Sequence, residues 1–144
     1  MSLFDRYKEL GVEFDPSQIE LRDCLRVNTL KIDPGELIPR LEEKGVRLEK
    51  VPFLENGYYF ESAFSISSCE EYLLGYFYIQ EAASQLPVMA LFNDVDVTQK
   101  DFNPLILDAC AAPGSKTTQI AQYLNQNGTI FALDNHIQRL NILH

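Results

Sequence analysis

The sequence is short of residues that hold metals. It has two histidines and three cysteines in 144 residues, and Cys24, Cys69 and Cys110 show no ligand spacing, which argues against a zinc site. An odd cysteine count with no disulfide framework fits a reducing compartment, so the expected location is cytoplasmic. No apolar run approaches the ~20 residues of a membrane span, and the first residues carry no signal-peptide pattern. Neither a membrane nor a metal partner is expected. Positive charge is scarce as well. Twelve Lys and Arg face 21 Asp and Glu, a net charge of -9, which argues against a general nucleic-acid binder working through clustered basic side chains. The shortage is uneven: nine of the basic residues fall in positions 1–50 against eleven acids, and from position 51 there are three against ten. Any contact with a nucleic-acid backbone therefore belongs to the first third, where the plainer role of each charge is a solvated surface.

At 46% hydrophobic, the chain can fill one ordinary core, or a small module plus part of a larger one. Positions 1–24 read as a peripheral helical segment, with Leu3, Phe4, Tyr7 and Leu10 at helical spacing and Gly11 closing it. Leu25 to Lys31 (LRVNTLK) alternates apolar and polar residues, the pattern of a half-buried strand. Asp33, Pro34 and Glu36 signal a helix start, with Leu37, Ile38 and Leu41 on one face and Gly45 as a stop. Pro39 removes an internal hydrogen bond, so a late start or a bend is expected there. Val46 to Val51 alternates again, which completes a β-α-β pattern, and Asn56-Gly57 predicts a hairpin. Ser67 or Ser68 is placed to cap a short helix beginning at Glu70 and ending near Gly75. A further helix is expected over Ser84 to Phe92, burying Leu86, Met89, Ala90 and Leu91. A polar loop at 93–104 marks a boundary. The expected division is a helical segment at 1–24, a sheet-and-helix module at 25–66, a helical linker at 67–104 and the first part of another domain at 105–144.

The richest stretch is Leu105 to Lys116, LILDACAAPGSK: an apolar strand ending in an acid, a tight loop of small residues, then a helix start. That order brings the free amides of a helix N-terminus to a polar ligand at the carboxyl end of a strand. About 20 residues further on, where nucleotide-type sites place a carboxylate on the ribose hydroxyls, the strand Thr129 to Leu133 ends in Asp134. A P-loop is excluded, because Ser115 separates Gly114 from Lys116 and the required earlier glycine is absent. A dinucleotide fingerprint needs three glycines and this loop has one, so hydride transfer falls away too. The small residues Ala111, Ala112, Pro113 and Gly114 let a ligand lie against the backbone, and Ser115, Lys116, Thr117 and Thr118 open the helix. A cofactor with a carboxylate, an amine and an adenosine suits this place better than a pyrophosphate. Asp134 also has a plain reading as a helix N-cap, and Arg139 one as a solvated helix-face residue.

The string LDACAAPGSKTTQIA resembles the cofactor motif of the Nol/Nop/Sun family of RNA (cytosine-5)-methyltransferases. LRVNTLK resembles a strand of that family's N-terminal RNA-recognition-like module, and the run from Phe64 through Gln85 resembles its link into the catalytic domain. The resemblance implies an α/β fold: a small RNA-recognition-like α+β module, then the start of a doubly wound Rossmann-like methyltransferase domain. It implies S-adenosylmethionine as cofactor and RNA, tRNA or rRNA, as partner. It places Cys110, Ala111, Ala112, Pro113, Gly114, Ser115 and Lys116 along the cofactor, Asp134 on its ribose and Arg139 at a further position of the site. Ser115 stands where many members have a second glycine.

Methylating carbon 5 of cytosine needs a cysteine thiolate that adds to carbon 6, together with acid and base assistance. The family carries its cysteines in Pro-Cys and Thr-Cys-Ser contexts, and neither occurs in this sequence. Cys24, Cys69 and Cys110 all read as structural, so no catalytic residue is assigned. Two parallel strands with one helix cannot cover both faces of a doubly wound sheet. The expectation is therefore an N-terminal piece that is inactive alone, or a chain that pairs with another to complete the sheet. A non-catalytic RNA-binding or regulatory module with a degenerate cofactor half-site is the alternative.

Overall fold

The computed structural model describes residues 7, 9–11, 20–99 and 101–143. Of the expected N-terminal helical segment, Tyr7 and Glu9 are helical, Leu10 and Gly11 form a turn, and the other residues before 20 lie outside the described set.

Strands β1 (Cys24–Val27), β2 (Arg47–Lys50), β3 (Gly57–Glu61) and β4 (Phe77–Ile79) form one antiparallel sheet in the order β2-β3-β1-β4. Helix α1 (Pro34–Glu43) connects β1 to β2. The sheet takes its fourth strand from within the stretch expected to be a helical linker. Strand β1 is central, with Leu25 opposite both Tyr58 and Ile79, and all four of its residues are buried. Alternation sends Leu25 and Val27 to one side, where they pack with Leu37 and Leu41 of α1 and with Phe77. Cys24 faces the other way, into a cluster with Val51, Leu54 and Ala82. Leu25, Leu37 and Leu41 are fully buried, and each such side chain contributes about 1.5–3 kcal/mol. Because both faces of β1 are covered, neither is open for stacking bases.

Several local expectations change for identifiable reasons. β1 ends at Val27, because Asn28 turns the chain: its Oδ1 accepts from the Leu30 amide and its Nδ2 donates to Gly75 O. Asp33 caps α1 as expected, its side chain accepting from Gly35 N at 2.7 Å with Pro34 in the first turn. Pro39 lies inside an uninterrupted helix, which Leu37 and Leu41 anchor in the core. The β2–β3 hairpin forms through a longer loop over 51–56, and Gly57 is already strand, packed where the Leu54 side chain would collide with any Cβ. Helix α2 (Glu70–Leu73) has Cys69 at its N-cap with no side-chain cap bond. The serines serve the preceding 3-10 turn Ile66–Ser68 instead, with Ser68 Oγ donating to Ser65 O.

Helix α3 (Ala82–Phe92) starts earlier than expected and buries Ala82, Gln85, Val88 and Phe92. Leu86, Ala90 and Leu91 are exposed and Met89 is half-buried, so the expected face is corrected. A helix apolar all round offers no stripe to choose by, and here a glutamine takes an inward position. Val88 and Phe92 pack on Ile120 and Leu124 of α4 (Ser115–Leu124), with Phe92 and Tyr123 stacked at 5.0 Å.

β5 (Leu105–Asp108) and β6 (Thr129–Ala132) form a separate parallel pair joined by α4, and α5 (Ile137–Leu143) follows. Ile106 and Ile130 face the α3–α4 core. On the opposite face Leu105, Leu107 and Phe131 are 71%, 63% and 54% exposed, an apolar surface with no second layer among the described residues.

Candidate functional site

The loop after β5 is built by two acids. The parallel register sets Asp108 beside Ala132, so both strands deliver their carboxyl ends to one edge. Asp108 Oδ1 accepts from the Cys110 amide at 3.2 Å and its Oδ2 from Thr117 Oγ1 at 2.7 Å, tying the loop's start to the first turn of α4. Asp134 Oδ2 accepts from the Ala112 amide at 3.0 Å and its Oδ1 from the His136 amide at 2.9 Å. The His136 amide, then that of Ala112 and the charge of Arg139, hold the Asp134 carboxyl below the usual carboxylate range. Asp134 is thus not a helix N-cap: α5 starts at Ile137, and the Arg139 and Leu140 amides bond to His136 O. Arg139 does not simply point to solvent, because its Nη2 donates to Ala112 O at 2.5 Å.

Between these anchors run Ala111 and Ala112, both buried, a cis Ala112–Pro113 peptide, and Gly114 at φ +115°. Only glycine readily takes that conformation. As the N-cap of α4, Gly114 brings no side-chain acceptor to the first-turn amides, which stay available to an anionic group. Ser115 is half-buried, and Cys110, Pro113 and Lys116 are exposed. The donor set fits a carboxylate-bearing adenosine cofactor. Backbone amides suit its carboxylate, a small-residue floor admits close approach, and each oxygen of Asp134 keeps a lone pair for hydroxyl donors. Among the described residues no group of three or more His, Cys, Asp or Glu could hold a metal ion.

Neither buried cysteine offers an activated nucleophile. Burial pushes the Cys24 thiol up to about 11 and the Cys69 thiol up as well, which keeps both protonated at neutral pH. Nor do the described residues of the first third present a free basic face. Arg22 pairs with Glu49, Arg40 with Glu36, Lys44 with Glu71 and Arg47 with Glu61. Lys31 and Lys50 donate to backbone carbonyls of Leu74 and Glu55.

One feature of the site escaped the sequence reading. Arg26, a polar position of an alternating strand, is 3% exposed. Its Nε donates to Gln80 Oε1 at 3.0 Å, its Nη1 to Gln122 Oε1, and its Nη2 to Thr118 Oγ1 at 2.9 Å and Ser115 O at 3.3 Å. Gln80 in turn donates to Gln119, and Gln119 to Gln85 O. The signal available in sequence was Gln119 and Gln122, spaced to share one face of α4.

Comparison with known proteins gives concordant results at both ends of the chain. The model of the N-terminal domain of 16S rRNA methyltransferase RsmF matches residues 7–82, and that of 16S rRNA methyltransferase RsmB/F matches residues 95–144. Ribosomal RNA small subunit methyltransferase F of Shigella dysenteriae is 43% identical over 131 residues, and that of Vibrio atlanticus 42% over 130. Each alignment covers 88% of this chain and 26% of the relative, so the chain spans about a quarter of the length of these proteins. A methyltransferase homologue from Pyrococcus horikoshii superposes with a TM-score of 0.72 at 39% identity, over 86% of this chain and 39% of that one. NSun6 from the same organism, solved with SFG, shares the fold with a TM-score of 0.70 at 22% identity, over 85% of this chain and 54% of that one.

Proposed function

Since this chain belongs to the RsmB/F family of 16S rRNA methyltransferases, within the Nol/Nop/Sun group its motifs resemble, we propose that the protein it represents methylates carbon 5 of a cytosine in ribosomal RNA. S-adenosylmethionine supplies an activated methyl group when bound. In this chain Cys110 to Lys116 line the cofactor, and the open amides at the start of α4 receive its carboxylate. Asp134 accepts from its ribose hydroxyls with the lone pairs that the Ala112 and His136 amides leave over. Arg139 holds the loop through Ala112 O and acts from behind it. The observation that carries the reading is this two-acid cradle, joined to a sheet module of the same family at the other end of one chain. SFG, an analogue of S-adenosylmethionine, in the NSun6 neighbour supports the choice of cofactor.

The division at 25–66, 67–104 and 105–144 follows the same reading, with β4 returning from the second segment to complete the first sheet. No residue of this chain supplies the nucleophile, and the exposed face of Leu105, Leu107 and Phe131 is what the remainder of a doubly wound domain covers. The setting is the cytoplasm; among the described residues no helix is long and apolar enough to cross a membrane. The alternative of a stand-alone RNA-binding module is disfavoured by the paired bases of the first third. The test is methyl transfer from labelled S-adenosylmethionine by the protein at its relatives' full length, offered 16S rRNA and tRNA separately. Label on carbon 5 of an rRNA cytosine is expected. Label on tRNA alone, or no cofactor-dependent label, overturns the proposal.

A further inference from the structure

We propose that Arg26 is a positioning residue for the cofactor loop: its guanidinium, carried by the central strand of the first sheet, fixes the first turn of α4 through Thr118 and Ser115. Every acceptor it meets is neutral, namely two glutamine amides, one hydroxyl and one carbonyl. A buried arginine is ordinarily paired with an acid, since desolvating an unpaired charge is costly. Burial lowers the Arg26 pKa to about 10, so the group is still cationic at neutral pH. The Tyr78 ring, with its centroid 6.0 Å from the guanidinium, offsets part of that cost. Mere packing between two elements would be met by an apolar side chain at lower cost. What Arg26 adds is a rigid fork that bonds Gln80, just past β4, and α4 at once from one strand position.

The contact leads straight into the loop. Thr118 Oγ1, which accepts from Arg26, lies 2.8 Å from Gly114 O and donates to it. Gly114 O also accepts the first amide bond of α4, from Thr118 N at 2.9 Å. One hydroxyl therefore separates the guanidinium from the left-handed glycine that ends the loop. At its other end Arg26 has no freedom to shift, because its backbone is held in register opposite Gly57 and Tyr78. The strand sets the arginine, the arginine sets the turn, and the turn sets the direction of the open amides. The cation also stands behind a loop proposed to take a carboxylate, where its field favours the anion.

The affinity part of this inference rests on the proposed cofactor reading; the positioning part does not. The test is native-state hydrogen exchange on the 144-residue chain, comparing wild type with Arg26→Lys, Arg26→Met and Thr118→Val. Loss of one buried hydrogen bond predicts exchange faster by about fivefold or more at the Thr118, Gln119 and Ile120 amides, with the β1–β3 amides unchanged. Arg26→Lys keeps the charge and recovers part of the protection that Arg26→Met loses. Uniform acceleration through both sheets, or none in α4, overturns the proposal, because a plain packing role predicts one of those. If the Arg26 variants fail to fold, Thr118→Val decides alone, since it breaks the relay at the far end. Titration of the protein at its relatives' full length with S-adenosylhomocysteine is the second arm, with binding weakened about fivefold or more in the same variants. Wild type that does not bind counts against the cofactor reading, while the exchange result still decides the positioning role.

Discussion

Replacing Gly114 by alanine tests the loop after β5 at its most constrained point. At φ +115° and ψ 2° the backbone lies outside the regions open to L-residues, at about 1–3 kcal/mol. An added Cβ would also sit 2.5 Å from Leu143 Cδ1, and such overpacking costs about 1–3 kcal/mol unless the neighbour moves. Leu143 is half-buried near the end of α5, so its side chain can yield and the second cost falls toward the lower bound. The sum is about 2–4 kcal/mol. For a chain of 144 residues, where 1 kcal/mol shifts Tm by about 3 °C, thermal unfolding should occur about 6–12 °C lower. The double variant Gly114→Ala/Leu143→Ala separates the two sources: removing the leucine relieves the contact and leaves the backbone cost. Measured by urea and thermal denaturation, the pair should therefore be less than additive by about 1 kcal/mol. A Gly114→Ala protein within about 0.5 kcal/mol of wild type refutes the reasoning, as does strict additivity for its steric half.

Four further outcomes follow from the same geometry. Only Cys110 is exposed, so a thiol reagent at pH 8 should modify one of three cysteines quickly in the native chain and all three after denaturation; two fast thiols would contradict the burial. Asp134 has a depressed pKa, so its contribution to the loop is complete above the ordinary carboxylate pKa of about 3.9 and is lost as pH falls through the lower native value. An NMR titration of its carboxyl should show a midpoint under that figure, and a midpoint above it is the failing result. Asp33→Ala removes the cap on Gly35 N and should cost about 0.5–2 kcal/mol in denaturant unfolding, with Asp33→Asn milder. Because most described bases of the first third are paired, RNA binding by this chain should lose little affinity between low and moderate salt. A steep slope in a gel-shift series, equivalent to about six or more released counterions, would mean that the pairs open to phosphate.

Where the sequence was read correctly, short-range chemistry decides the outcome. Asp33-Pro34 starts α1 wherever the chain goes next, because the cap satisfies an amide two residues away. LILD followed by small residues and a helix start has to put amides at a strand end, and it does. Local patterns misled where longer-range packing competes with them. Asn28 cut β1 short by spending its side chain on Gly75, 47 residues away. α3 could not be oriented, since its apolar residues surround it and its face is selected by distant partners, Cys24 and Gln80 for Gln85 and α4 for Val88 and Phe92.

Arg26 shows the limit most sharply. In an alternating strand a polar residue is assigned to solvent, because the rule presumes that one face of the sheet is wet. Here α3 and α4 cover that face, and the cover comes from residues 56 or more positions later in the chain. Burial then converts a surface arginine into an interior cation whose acceptors lie later in the chain, Gln80 just past β4 and Thr118 and Gln122 on α4. None of those glutamines is unusual alone, since glutamine on a helix is ordinarily a solvated residue. They acquire meaning together, because a buried guanidinium requires acceptors for its donors and no carboxylate is among those it meets. The shape of the loop after β5 was legible because its residues are contiguous in the chain. The device behind it was not, because it is assembled from stretches at residues 26, 80 and 115–122 that meet only when the first sheet packs against α3 and α4.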